Sequence, residues 1–305
     1  MRRSGLVLAV TVLSFVIFTS SSLAQVSPWS MFQHDRLHTG RTTVAGPTQV
    51  GTPWTRDLDG NTVGANNAPV IGNNGAVLIG TVQGGVYAYT ASGTRLWKVT
   101  LPGGVTAPLA VAANGRIIAP TNNDSCYVLD PANGHILWRA FIGQANAGAT
   151  IVGTDAFISG NYSGVGFVWK LDLLTLNYYW QSSHLWQIDR SSPVVMLGGQ
   201  IAVGTTENIV PYNSSGHVSI LDVNGREQCS FDVGFFNGRG VRSTVSQTST
   251  GRIVGGSVGD DALYGDGAFF KPMSPVRVVG RARDTTSVHR RSLATMSLCW
   301  ARRTA

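Results

Sequence analysis

Between residues 68 and 254 the chain alternates short apolar stretches with turns, and the apolar positions recur every second residue rather than at helical spacing. Ala68-Pro69-Val70-Ile71-Gly72 leads to Gly75-Ala76-Val77-Leu78-Ile79-Gly80-Thr81. Tyr87-Ala88-Tyr89-Thr90 then enters a turn at Ala91-Ser92-Gly93 and leaves it as Thr94-Arg95-Leu96-Trp97. The same four-part series returns at residues 107–111, 115–120, 127–130 and 135–138, and again at 149–152, 156–160, 169–172 and 178–180. A fourth series occupies residues 192–195, 200–205, 219–222 and 226–229, and a degenerate fifth opens at 243–245 and 251–256. Each segment predicts a short β-strand, and each series predicts four strands joined by tight turns.

The last two strands of every series form the clearest hairpins. Gly93, Gly134 and Gly225 stand where a tight hairpin needs left-handed backbone angles. Asp130, Asp172 and Asp222 end the first strand of their hairpins, where a carboxylate accepts hydrogen bonds from the turn's own amides, so their expected role is structural. Trp54, Trp97, Trp138 and Trp180 follow one another at 43, 41 and 42 residues, and Cys229 takes the fifth slot 49 residues on. A recurring aromatic ring late in each unit is a packing device between neighbouring units.

Four strands every forty-odd residues is the arithmetic of a β-propeller blade, and one blade cannot bury both faces unless others stack on it. The fold class expected is all-β: a β-propeller of four-stranded blades, about five of them recognisable. Whether the ring is truncated or incompletely closed is left open. Trp54-Thr55-Arg56-Asp57-Leu58 reads as an outer strand without partners before it. Residues 243–265 could complete that blade and close a five-bladed ring, and finding residues 52–58 unpaired would count against this closure.

Composition narrows the setting. Charged residues are 13% of the 305 and glycine contributes 37, a balance that favours strands and turns over exposed helices. Arg2 and Arg3, an apolar run over residues 6–18, and Ser22 and Ala24 ahead of Gln25 read as a secretory signal over residues 1–24. A secreted location follows, extracellular or, in a bacterium, periplasmic, with no membrane span after cleavage. The formal charge of +7 is concentrated at the ends. Seven arginines against Asp284 follow residue 276, and residues 25–276 carry −1. The folded body therefore has no footprint for specific nucleic-acid binding. Cys126, Cys229 and Cys299 include no CxxC or adjacent pair, which argues against a disulfide scaffold or a cysteine-rich zinc site.

The pattern of strand, Leu-Asp, glycine turn and tryptophan resembles the pyrroloquinoline-quinone-like repeat propellers and is clearest at Val128-Leu129-Asp130 through Trp138. This group includes quinoprotein dehydrogenases and the outer-membrane assembly lipoprotein BamB. The opening Trp29-Ser30-Met31-Phe32-Gln33-His34-Asp35 with His38-Thr39-Gly40-Arg41 is similar to the start of its secreted members. The resemblance covers residues 29–265 and implies the fold more than an activity. Quinoprotein enzymes of the group have about eight blades, adjacent cysteines at the cofactor and a calcium site. This chain has too few units and no adjacent cysteines, so no cofactor is expected. BamB-like members carry a lipid-modified cysteine that is missing at the cleavage site here.

The domains expected are a signal at 1–24, a repeat propeller over 25–274, and a basic, disordered tail over 275–305. From Pro275 the strand alternation fades. The favoured reading of this tail is a truncated or frame-shifted product whose missing blades were replaced by unrelated residues. The alternative is a functional tail for acidic surfaces.

Candidate chemistry is sparse. His34, Asp35 and His38 are the best metal-like cluster, but the spacing needs a helical turn that Arg36, Thr39 and Gly40 do not promise. A folded-back segment sealing the ring is the preferred reading. Asp260, Asp261 and Asp266 lie in a glycine-rich loop without EF-hand spacing. Ser243 has no nucleophile motif around it. Asn123, Asn161 and Asn213 head glycosylation triplets that matter only in a eukaryotic host. The function expected is a non-enzymatic scaffold that binds an extracellular or periplasmic protein, peptide or glycan through loops at one ring face. The alternatives are a quinone- or metal-dependent extracytoplasmic oxidoreductase and a nonfunctional fragment of a larger propeller.

Overall fold

A computed structural model describes residues 29–45, 48, 51–207, 215–232, 240–241 and 243–256. It contains four four-stranded antiparallel sheets and a two-stranded fragment. Blade 1 is β1 (Val70–Ile71), β2 (Val77–Gly80), β3 (Gly85–Tyr89) and β4 (Arg95–Thr100). Blade 2 is β5 (Ala110–Val111), β6 (Ile117–Pro120), β7 (Ser125–Leu129) and β8 (Ile136–Phe141). Blade 3 is β9 (Thr150–Val152), β10 (Asp155–Tyr162), β11 (Val165–Asp172) and β12 (Asn177–Gln181). Blade 4 is β13 (Val194–Val195), β14 (Ile201–Glu207), β15 (Ser215–Leu221) and β16 (Glu227–Asp232). The fragment pairs β17 (Ser246–Gln247) with β18 (Ile253–Val254). Strands are neighbours in sequence order in every sheet, as in a propeller.

Each interface between consecutive blades has its own apolar cluster, and strand alternation divides the residues between interfaces. In β7, Tyr127 and Leu129 join Leu78, Val86 and Trp97 of blade 1, whereas Cys126 and Val128 join Ile158, Trp169 and Leu171 of blade 3. Phe157 and Val168 of blade 3 meet Val195, Ile201 and Leu221 of blade 4. Val194, Ala202 and Val218 meet Val241 and Val245 beside the fragment. Successive side chains on a strand point to opposite faces, so a blade buried on both sides needs apolar residues at successive positions. All five residues of β3 and all five of β7 are buried for this reason, while outer strands β4, β8 and β12 are mostly exposed.

The tryptophan slot is defined by register. Ala88 pairs with Trp97, Val128 with Trp138, Lys170 with Trp180 and Ile220 with Cys229, and in every blade the ladder shifts at the next residue. That recurring bulge re-aims the outer strand towards the following blade. Trp97 packs over the turn of blade 2, where a Cβ on Gly134 would stand 2.6 Å from its ring, and its Nε1 donates to the Pro131 carbonyl at 3.0 Å. Trp180 meets Gly225 and the Val223 carbonyl of blade 4 in the same way. Trp54 does so at Gly93 and the Ala91 carbonyl of blade 1.

Trp138 is the exception. The blade 3 turn puts Leu176 at φ 60° where the other blades use glycine, and Trp138 packs there against Tyr178, edge to face at 5.4 Å. Tyr178 also accepts from the Phe141 amide and donates to the Phe141 carbonyl, which occupies part of the free edge of β8. The turn aspartates accept from backbone amides: Asp130 from Ala132, Asp172 from Leu174, and Asp222 from Asn224 and Arg226.

The five-bladed closure is corrected in one respect. Among the described residues, 52–58 pair into no sheet; Trp54 and Arg56 instead bond to the blade 1 turn through side chains. Four complete blades and a two-stranded fifth are what the described residues form. The segments 1–28 and 257–305, with Asp260, Asp261, Asp266 and Cys299, and Asn213 with Ser214 of its triplet lie outside the described residues.

Candidate functional site

In this topology the turns between first and second and between third and fourth strands share one ring face. The turns between second and third strands and the connections from blade to blade share the other, termed the loop face. The connections bond to both blades that they join. Val105 donates to the Thr81 carbonyl of blade 1, and Asn122 of blade 2 donates to Gly104. Ala145 donates to Thr121, while Gln144 and Asn161 exchange two bonds across to blade 3. Leu185 and Gly166 exchange two more, and Thr206 of blade 4 donates to Gln187. Loops fixed by backbone bonds at both ends form a preset surface.

The residues before blade 1 sit at the ring's hub. The amides of Ile71 and Val111, one in each of β1 and β5, donate to the carbonyls of Trp29 and Ser30 at 2.9 and 2.8 Å. The Ile151 amide of β9 faces Met31 Sδ at 3.4 Å. Val195 of β13 donates to Arg36 and Gln247 of β17 to Leu37, both at 3.0 Å. One ten-residue stretch thus contacts the innermost strand of all five units. Left-handed angles at Gln33, His34 and His38 let the chain double back within it.

His38 anchors the hub. It is 1% exposed; Nδ1 lies 3.0 Å from the Phe32 carbonyl, and Nε2 lies 2.8 Å from Thr150 Oγ1 and 3.1 Å from the Pro193 carbonyl. Asp35 turns elsewhere, accepting from the Leu37 amide and from the Thr39 amide and hydroxyl. Burial pushes the Asp35 carboxyl up, but the bonds from Thr39 and Leu37 hold it below its ordinary value. His34 packs edge-on against Trp29. His34 Nδ1 lies 3.6 Å from Asp35 Oδ2, but His38 turns away to Phe32, Thr150 and Pro193, and among the described residues no three acidic, histidine or cysteine side chains converge as ligands.

Burial holds the His38 imidazole below its usual value, against the opposing influence of the Pro193 and Phe32 carbonyls. The unfolded chain then takes up the proton first, so this contribution to stability is complete above about pH 6.5 and declines as pH falls through and below that value. Thermal melts between pH 7.5 and 5 are expected to show the decline in the wild type and a shallower one in His38→Gln.

Two openings lie on the loop face and share Asn146. The hub cavity, about 390 Å³, is bounded by Phe32, Asn67, Pro108, Ser192 and Thr244. The second is a polar groove of about 480 Å³ across blades 2, 3 and 4, with Asp124, Gln144, Asn161, Gln187 and Asp189 along it. Asn161 is its structural pin: its amide donates to the Ile188 carbonyl and accepts from the Ile188 amide at 2.8 Å, besides the two backbone bonds to Gln144. Both side-chain atoms of this triplet asparagine are thus engaged. Asn123 is engaged too, accepting from the Thr121 hydroxyl at 2.5 Å. Asp124, Ser163 and Arg190 hold left-handed backbone angles beside the groove.

None of the repeat positions singled out by sequence lines the groove. Their tryptophans, aspartates and glycines belong to blade contacts and to the opposite face. The groove residues come from connections and second-to-third turns that carry no shared motif. The available signal was compositional and partial: residues 182–193 are mostly polar where neighbouring strands are apolar, whereas 142–149 offer only Gln144 and Asn146 among Ile, Gly and Ala.

A family model described as outer membrane protein assembly factor BamB matches residues 82–258, more than half of the chain. The chain belongs to this PQQ-like, BamB-type repeat family. The BamB of Nitrosomonas eutropha is 28% identical over 121 residues, 36% of this chain and 27% of that protein. The BamB of Burkholderia pseudomallei is 29% identical over 127 residues, 39% of this chain and 32% of that protein. The chain spans about a third or less of the curated relatives it matches. Among solved structures, the quinohemoprotein alcohol dehydrogenase of Comamonas testosteroni superposes with a TM-score of 0.58 at 13% identity, covering 78% of this chain and 47% of that one. That likeness establishes the propeller fold. The BamB-type repeats account for the blades that frame the groove, from the second-to-third turn of blade 1 to the fragment.

Proposed function

We propose that this chain is an extracytoplasmic, non-enzymatic scaffold that binds a protein, peptide or glycan through its loop face. The observation that carries this reading is the groove itself, assembled from three blades and held by paired backbone bonds on each side. A preset concave surface of that kind binds without a large ordering cost. Relatives named as outer membrane protein assembly factors favour a protein partner outside the cytoplasm. The signal-like residues 1–24 fit the same setting, with residues 25–274 as the propeller and 275–305 as a tail.

The test compares Gln144→Arg, on the loop face, with Ser92→Arg, on the opposite face; both positions are exposed. Extracytoplasmic extract is passed over each immobilised protein and the bound proteins are quantified. A partner retained by wild type and Ser92→Arg is expected to fall about ten-fold on Gln144→Arg, the size of effect of an interfering charge at an interface. Equal retention on Gln144→Arg, or loss on Ser92→Arg instead, overturns the assignment of the loop face.

A further inference from the structure

We infer that the polar groove across blades 2, 3 and 4 takes a neutral saccharide; this rests on the loop-face scaffold reading and names its ligand class. The groove is lined with groups that both donate and accept hydrogen bonds, the amides of Gln144, Asn146 and Gln187, and with two acceptors, Asp124 and Asp189. Among the described residues no lysine or arginine lines it. Arg190 lies outside the lining with its Nε 3.7 Å from Asp189, so a phosphate or carboxylate ligand would meet Asp124 and a cation already shared with Asp189, which disfavours it. A largely apolar ligand would strip water from these polar groups without replacing their bonds. A sugar hydroxyl both donates and accepts, so a ring of hydroxyls suits a mixed lining of amides and carboxylates.

One polar group in the groove already lacks a partner. Thr206 is 5% exposed and lines the blade 4 end, and its Oγ1 makes no hydrogen bond within the protein. That hydroxyl is packed beside Gly240, out of a ligand's reach, so recognition falls to the exposed amides and carboxylates of the lining.

One exposed aromatic ring lines the groove, and a second lies next to a lining residue in the chain. Tyr162 lines the groove at 52% exposure, and its ring is braced edge-on by Phe141, 5.3 Å away and 49% exposed. Trp186, beside Gln187 in the chain, is 45% exposed and stacks on His217 at 6.1 Å. His217 is held in turn by Glu207, with Nε2 to Oε2 at 3.2 Å. Rings kept in water yet fixed by a second ring offer flat apolar faces with little side-chain freedom left to lose. A pyranose carries hydroxyls around its edge and C–H groups on its face. The combination of amide edge and aromatic face matches both. An extended peptide would use the amides but has no regular need for an exposed ring among them. The volume of about 480 Å³ lies within the range of small-molecule sites and admits a short saccharide segment rather than a long chain.

The experiment titrates the full chain with maltotriose, cellotriose and chitotriose by calorimetry, with an uncharged Gly-Ser-Asn peptide as a fourth probe. At least one trisaccharide is expected to bind with Kd near or below about 1 mM, and Tyr162→Ala to weaken it about ten-fold, the loss of one stacked ring. Tyr162→Ala is expected to melt with the wild type, because its ring is half exposed. Tyr162→Phe, which keeps the ring, is expected to retain most of the affinity. No binding by any trisaccharide, affinity unchanged in Tyr162→Ala, or binding by the peptide alone overturns the saccharide assignment. If the saccharides fail while Gln144→Arg still loses its partner, the scaffold reading stands and only the ligand class falls.

Discussion

Gly134→Ala is expected to destabilise the protein by about 3 kcal/mol, where Gly153→Ala costs about 1 kcal/mol. Both glycines hold left-handed angles, φ 75° at Gly134 and φ 64° at Gly153, so each alanine meets a similar backbone penalty. They differ in what surrounds them. A Cβ at Gly153 meets nothing within 4 Å, whereas at Gly134 it lies 2.6 Å from Trp97 Cε3 and 2.9 Å from Cζ3. The ring cannot retreat without losing its bond to the Pro131 carbonyl and its place among Leu78, Val86 and Leu129. Displacing it opens the contact between blades 1 and 2, and full removal of such a ring costs about 3–5 kcal/mol. Urea midpoints of the two variants and of Gly134→Ala combined with Trp97→Ala check the argument. Most of the Gly134 penalty beyond the backbone share is expected to vanish in the Trp97→Ala background. Equal penalties for the two alanines would mean that the ring moves freely.

The second large effect is expected from His38→Ala, about 2–4 kcal/mol. The substitution leaves the Phe32 carbonyl and the Thr150 hydroxyl without the imidazole that they face, in a site that water does not reach. It also removes the pin that holds the folded-back segment. Amide hydrogen exchange gives the readout specific to this role. The Ile71, Val111, Val195 and Gln247 amides, which end on that segment, are expected to lose protection together. Amides inside β3 and β7 are expected to change only by the global loss of stability. Uniform loss everywhere would make His38 an ordinary core residue rather than the anchor of the hub.

The blades were legible because one physical rule is applied repeatedly. A sheet buried on both faces needs apolar neighbours at successive positions, and a hairpin needs a residue tolerant of left-handed angles at a fixed place. Tyr127-Val128-Leu129-Asp130 and Gly134 state both requirements within eight residues. The blade 3 turn was harder to read because Leu176 adopts the glycine angle and Tyr178 supplies the contact for Trp138, so the same geometry is reached without the usual residues. The hub was visible only as an opening motif. Its contacts are single bonds to five strands far apart in sequence, and no period marks them. The groove was less legible still. Gln144 and Asn161 meet through backbone atoms, which any residue carries, so their juxtaposition leaves no trace in side-chain pattern. Residues 52–58 carried the correct signal at Trp54 but the wrong expectation for the rest, since a docked ring does not require a paired strand.

The hub has a kinetic consequence. His38 accepts from the Ser246 hydroxyl across 208 positions of chain, and the Gln247 amide reaches back to Leu37. Residues 29–38 are made before any blade, yet their last partner emerges after four blades have been made. Contacts of such long sequence separation form late and slow the approach to the native state. During that interval the inner edges of the early blades stay unsealed, so chaperone dependence should concentrate between completion of blade 1 and arrival of Gln247.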